Sequence, residues 1–575
     1  MVVDTGVVVE RHRRFAARRL QPRQAFVQES GDRAGPLGGL QHAAIVAAGR
    51  WYRQSRRGMV PPACGIPARM ETPNPQPEDA TMAGRRCATV ALLAFAACAA
   101  TPVAAVSLVA RGLGQALVYP YYTVNESQDT LVTVVNASET GKAVAVRFSE
   151  SYNGRTALAF MLYLSPRDTW TAVVTQDGDD GAARLKTRDG SCARPTIPVA
   201  GLTFSTHAVT ASPDGGPTTP SRTREGMIEL IAAADLVPGS PTAAGITHLP
   251  NGGMPMNCSA IRTDAADYAA PTNGLSGTAS IVNVGEGTFF GYEADALAGF
   301  TDVALAPTLP VDEIGLHLAN SAESPSGGAR ATVIRDDGRA MELDYARGID
   351  AVSAVYLADR LYNEFLVAPS LGASTDWVVT FPTKRWYVDA ALEPSAPRPP
   401  FTARFDAPGV SDVVLHAVLH DQEEGHSDTF PPEDGCGFIC PDERPFTLSH
   451  QTNVVRVRPG GASASASDVL GSRTATTLEP FSMVPLDAEA GWIEVELAEP
   501  FGGGSTHALP DGRTASGDQV VNLHGLPVTG FMVYSIVNAN AAPGRLANYE
   551  GAFAHRTHVG CDIRDGSGAA TGTCD

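Results

Sequence analysis

The sequence predicts a mainly β protein: two or more immunoglobulin-like β-sandwich domains with a minor helical element. Three observations carry that expectation. Apolar runs with strand periodicity recur about every eight to twelve residues. Clusters of Gly, Pro, Asn, Asp and Ser punctuate them. One stretch alone, Ala351–Phe365, is a good helix candidate.

The strands follow in order. Thr130–Asn136 (TLVTVVN) is a strand closed by the polar turn Ala137–Gly141. Lys142–Ser149 (KAVAVRFS) alternates apolar and polar residues, as a half-buried strand does, before the tight-turn pair Asn153-Gly154. Ala157–Leu164 and Thr169–Thr175 complete a meander. Residues 176–275 read as long loops with a few strands and one short helix, around apolar patches such as Gly226–Leu236 (GMIELIAAADL). Thr278–Asn283 resumes the strand pattern, whereas Tyr292–Ala298 has helical spacing. In Ala351–Phe365, Val352, Val355, Leu357, Leu361 and Phe365 can share one helix face. Asp376–Asp389 reads as a strand broken at Pro382, since a central strand rejects proline. Pro394–Pro400 (PSAPRPP) reads as a linker. Beyond it Asp412–His420, Thr452–Val457, Trp492–Leu497 and Gly530–Val537 form further strands. Strands ending in Val-Asn recur at Asn136, Asn283 and Asn538, where asparagine can start a turn.

These elements divide the chain into 106–393, a β-sandwich region with long loops and one helix; the linker 394–400; and 401–575, a second β-sandwich domain. Residues 82–105 have the layout of a secretory signal peptide. Met82-Ala-Gly-Arg85-Arg86 is basic, Cys87–Ala100 is apolar, and Val103-Ala104-Ala105 offers small residues for cleavage. A mature chain is expected to begin near Val106. Residues 1–81 are rich in Arg, Gly and Pro, and read as a non-native or disordered extension before a start at Met82. Cys98 as a lipidated residue is the rival reading, which Phe95 fits poorly.

Charge and cysteine content narrow the function classes. Residues 1–105 carry 14 Arg and 7 acidic residues, which leaves the remainder with a formal net charge of −26. Such a chain repels nucleic acid, and no integral membrane segment is expected after signal cleavage. Six cysteines remain: Cys192, Cys258, Cys436, Cys440, Cys561 and Cys574. Proximity favours the disulfides Cys192–Cys258, Cys436–Cys440 and Cys561–Cys574 in an oxidising compartment.

Two sets of residues could carry chemistry. His416, His420, Glu423, Glu424 and His426 lie close together and could hold a divalent cation, the only cofactor the sequence suggests. The apolar residues between the first two favour a strand, which sets His416 and His420 about 13 Å apart, too far to grip one ion. Aromatic clusters are the second set: Tyr121 and Tyr122, and the adjacent Trp386 and Tyr387, of which a strand must turn one ring outward to a ligand. The acidic turn Asp177–Gly181 lacks the spacing of a calcium loop. No catalytic residue stands out.

Gly112-Leu-Gly-Gln-Ala-Leu-Val-Tyr119-Pro-Tyr-Tyr-Thr, Leu164-Ser-Pro-Arg-Asp-Thr-Trp170, Thr375-Asp-Trp-Val-Val-Thr-Phe-Pro-Thr-Lys384 and Gly525-Leu-Pro-Val-Thr-Gly-Phe531 resemble segments of an uncharacterised group of secreted proteobacterial proteins. The resemblance covers most of residues 107–560. It implies export and carries no known activity or functional residue. The expectation is therefore a non-enzymatic exported protein of the periplasm, cell surface or exterior, acting in adhesion, assembly or ligand binding on an envelope protein or glycan. A secreted hydrolase centred on His416–His426, metal-assisted or not, is the alternative.

Overall fold

The computed structural model describes residues 105–178, 181–250, 253–320, 328–429, 446–458, 466–479, 488–498, 507–538, 542, 545 and 547–574. The expected signal peptide, its preceding extension and the Cys436–Cys440 pair lie outside them. The protein is mainly β. No helix among the described residues is long and apolar enough to cross a membrane.

The first sandwich packs two sheets. One contains Ala116–Thr123, Glu225–Leu236, Lys142–Glu150 and Thr156–Leu164 as successive antiparallel neighbours. The other runs Thr288–Glu293, Leu275–Asn283, Gln128–Asn136, Thr169–Gln176 and Ala183–Lys186. Leu117, Val146, Phe160 and Ile228 of the first sheet meet Val132, Val134 and Trp170 of the second in a shared core.

The four strands expected over 130–175 form where the sequence places them but not as a meander: Gln128–Asn136 pairs with Thr169–Gln176 in one sheet and Lys142–Glu150, buried throughout rather than half-buried, with Thr156–Leu164 in the other. Glu225–Leu236 does not fit the loop expectation: it is a twelve-residue central strand, buried along its whole length. Its sheet is covered on both faces. Ile228 and Leu230 face the sandwich core, and Met227 and Ile231 face the rest of the molecule. A strand buried on both faces has no polar side to alternate, so its sequence loses the period-two signal.

The second sandwich combines strands from both sides of residues 394–400. Ala373–Thr380 pairs with Thr452–Val457 on one edge and Thr529–Ile536 on the other. Arg360–Leu366 pairs with Ala490–Glu496, which pairs in turn with Val413–His420. Residues 401–575 are therefore not a self-contained sandwich, and the proline-rich segment is a connection within one. Trp377, Phe365, Leu415 and Ile493 belong to the core between its sheets.

A third region extends the large sheet of the first sandwich. Ala329–Ile334 lies parallel to Val106–Val109, and Ala340–Tyr345, Ala508–Thr514, Gln519–His524 and Cys561–Asp565 follow outward. The helix Gly348–Tyr356 packs Ala351 and Ala354 into this region. The helix expected to reach Phe365 thus stops nine residues earlier, where the chain turns into the strand Arg360–Leu366. Leu357, Leu361 and Phe365 are spaced by four, which suits a helix face and, being even, a strand face equally. Tyr292–Ala298 likewise joins two strands, Thr288–Glu293 and Asp295–Ala298, rather than forming a helix.

Two expected disulfides are present, Cys192–Cys258 and Cys561–Cys574, with Cα atoms 5.5 and 5.0 Å apart. Two of the Val-Asn strand ends start turns as expected. Asn136 Oδ1 accepts from the Ser138 amide, and Asn283 Oδ1 from the Glu286 amide.

Candidate functional site

Asp295 lines a large cleft among the described residues. Its strand, Asp295–Ala298, pairs antiparallel with Ala116–Thr123, placing Asp295 opposite Val118 and Leu297 opposite Ala116. Ala296 points into the first sandwich core, whereas Leu297 points away from it toward the other core. Alternation gives Asp295 the direction of Leu297, so its carboxyl leaves the sandwich where the second sandwich and the helix close in.

There a cleft of about 870 Å³ opens between the three regions. Tyr292 and Ala294 wall it from the first sandwich, Phe531 and Ala554 from the second, and Thr332 and Tyr356 from the third. Tyr292 and Phe531 stack with ring centroids 4.6 Å apart. A smaller hollow of about 220 Å³ adjoins it and shares Val109, Arg111 and Glu293.

Asp295 is half-buried and lines this cleft. Thr529 Oγ1 donates to its Oδ2 at 2.5 Å. Burial pushes the carboxyl up to about 6; Thr529 and Tyr356 pull it partway back. Tyr356, 4% exposed at the end of the helix, has no partner for its hydroxyl at hydrogen-bonding geometry, although it stands near the same carboxyl. His555 also lines the cleft, but both ring nitrogens are engaged. Nε2 donates to the Val378 carbonyl at 2.9 Å, and Nδ1 accepts from Asn363 Nδ2 at 3.0 Å. Burial pushes its pKa down to about 4, which keeps the ring neutral. Arg556 pairs with Glu364 at 2.8 Å, and Arg111 and Glu293 are exposed at the rim.

The residues singled out in the sequence lie elsewhere. His416 and His420 occupy the outward face of Val413–His420, as their strand reading requires. His416 Nδ1 lies 3.1 Å from Glu496 Oε2 and its Nε2 3.6 Å from Asp428 Oδ1. His420 stacks on Trp492 at 3.9 Å and 7°, with the His426 ring 6.0 Å away across the hairpin. Burial and His426 lower its pKa. Glu423 and Glu424 are exposed in the turn, which Asp421 fastens by accepting from the Glu423 and Gly425 amides. The five residues do not converge. Among the described residues no group of three or more His, Cys, Asp or Glu side chains could hold a metal ion. Strand geometry spreads along a row what a helix would gather on one turn.

The aromatic candidates are corrected as well. Tyr121, Tyr122 and Tyr387 are fully buried, so none offers a ring face to a ligand. Tyr121 Oη donates to Glu225 Oε2, Tyr122 Oη to the Thr223 carbonyl, and Tyr387 Oη to Asp350 Oδ1. The strand expected over Asp376–Asp389 ends at Thr380. Trp386 and Tyr387 sit instead on the helical turn Arg385–Val388, where Trp386 stacks on His317 at 4.0 Å. Asp177 of the acidic turn is paired with Arg184, and Asp179 and Asp180 lie outside the described residues.

Sequence reasoning missed Asp295, Tyr356 and Thr529, which are far apart in the chain. One signal was available: Asp295 is a carboxylate at a core-parity position between Ala294 and the apolar run Ala296–Ala298. Comparison of the chain with protein-family models, with curated proteins and with solved structures finds no match.

Proposed function

We propose that the chain is a non-enzymatic exported protein of the cell envelope or surface that binds a ligand in the cleft beside Asp295. The observation that carries this reading is the cleft. Its volume of about 870 Å³ falls within the range of small-molecule sites, roughly 300–1,000 Å³. Strands and one helix wall it, so its shape is held by hydrogen-bonded sheets rather than by loops. Two packed antiparallel-sheet sandwiches, read as immunoglobulin-like, are the scaffold.

Export is supported by the two disulfides, since such bonds are rare in reducing compartments. It also agrees with the signal-like segment and with the resemblance to secreted proteins. The ligand is an envelope component, carried on a protein or a glycan. The metal-assisted hydrolase reading is set aside, because His416–His426 forms a row along a hairpin and not a ligand set.

The test is binding of the mature chain to fractionated envelope protein and glycan, with Ala554→Trp as a cleft-filling variant. Ala554 is exposed at the cleft wall, so the substitution leaves both cores untouched. Saturable binding that the variant abolishes is expected. Binding to no fraction, or binding that survives the substitution, would overturn the reading.

A further inference from the structure

Resting on the ligand-binding reading of the cleft, we propose that its ligand carries an ammonium group, seated against Asp295 and the hydroxyl of Tyr356, on an apolar or aromatic body. Three features converge on that chemistry. First, Asp295 is a carboxyl with no cationic partner. The groups that ease its ionisation are two hydroxyls, Thr529 and Tyr356, and no arginine or lysine is among them. An ionised carboxylate in such surroundings is costly unless a cation joins it.

Second, the Tyr356 hydroxyl is buried at the cleft beside the Asp295 carboxyl, which it meets only at poor hydrogen-bonding geometry. A phenol that turns its one hydrogen toward the carboxylate still has oxygen lone pairs to offer a donor. An ammonium has several N–H donors, so one group can serve the carboxylate and the phenol oxygen together. Third, the walls around this point are aromatic. Tyr292 and Phe531, stacked on each other, line one side, and half-exposed Phe553 lines the cleft from the opposite face of the strand pair. Ring faces next to a carboxylate favour organic cations through the ring quadrupole.

The cations already at the cleft do not fill this role. Arg556 is committed to Glu364, and Arg111 lies at the rim shared with the smaller hollow. A resident water would solvate Asp295 equally well, but it would not discriminate between ligands, and the test exploits that difference.

The experiment is titration calorimetry of the full mature chain at about pH 8, where the carboxyl is ionised. The probes are phenethylamine, phenethyl alcohol and phenylpropanoate, which share an aromatic body and differ in charge. The amine is expected to bind about tenfold or more tighter than the alcohol, with the carboxylate weakest. In Asp295→Asn, folding checked by circular dichroism, that preference should vanish while the alcohol still binds. Tyr356→Phe should weaken the amine more than the alcohol. Equal binding of amine and alcohol, no binding of the amine, or a preference that survives Asp295→Asn would each overturn the proposal. If envelope binding is lost in Ala554→Trp while the amine fails, the cleft remains a ligand site and only the ammonium class is wrong.

Discussion

In the first sandwich Arg222 lies fully buried between Glu150 and Asp214, whereas in the cleft Asp295 has only hydroxyls for company. Arg222 Nε is 2.9 Å from Glu150, and its Nη2 is 2.6 Å from Asp214. Lys142 is matched to Asp235 at 2.5 Å, and Arg147 to Glu229. The acids respond in opposite directions. Burial alone would raise the Asp214 carboxyl, but hydrogen bonds from Arg222 outweigh it and hold the group down at about 2. Nothing outweighs burial at Asp295. Matched charges fasten the scaffold. An unmatched one at a cavity floor strains it, and that pattern is common at functional sites.

The contrast can be broken most forcefully at Arg222. Arg222→Ala strands two buried carboxylates and should cost about 3–5 kcal/mol in urea unfolding. A loss below about 1 kcal/mol would show that the network is not what holds these strands together. Asp295→Asn should act in the opposite direction. The folded chain holds the Asp295 proton more tightly than the unfolded chain. Its stabilising contribution is therefore complete below about pH 4 and is lost as the pH rises through about 6. At about pH 8 the substitution should raise stability by on the order of 2 kcal/mol, and at about pH 4 by little. Tyr356, Thr529, His555 and the exposed Arg111, Glu293 and Arg556 remain in both proteins, so their effects cancel in the difference. Glu225 and Asp376 are buried acids raised by the same cause and steepen both curves alike. Asp214 gives the mirror image, since its contribution is present above about pH 4 and lost as the pH falls through about 2.

The smallest effect is expected on the outer face of the second sandwich. His416→Ala with His420→Ala removes a half-exposed pairing with Glu496 and one stacked ring. Stability should change by less than about 1 kcal/mol. Metal content, read by elemental analysis, should not change either. Stoichiometric metal in the wild type that the double variant loses would restore the metal-site reading.

The legible part of this molecule was the part with one wet face. Thr130–Asn136 and Val413–His420 alternate because water touches one side, and their ends sit close to where the pattern puts them. The histidine row was legible for the same reason, including its inability to converge. Glu225–Leu236 was not, because both its faces are covered, and Arg360–Leu366 was not, because fourfold spacing serves helix and strand alike. Trp386 and Tyr387 escaped because a turn just after Thr380 takes the chain out of the sheet.

The sequence by itself determined that the chain is β-rich and which segments form most half-exposed strands, since both depend on residues close together along the chain. Only the tertiary structure decided that strands on both sides of the proline-rich segment build one sandwich, and that Asp295, Tyr356 and Thr529 meet across more than 230 residues. Pairing between distant strands depends on which faces the whole fold covers, and no local pattern records that.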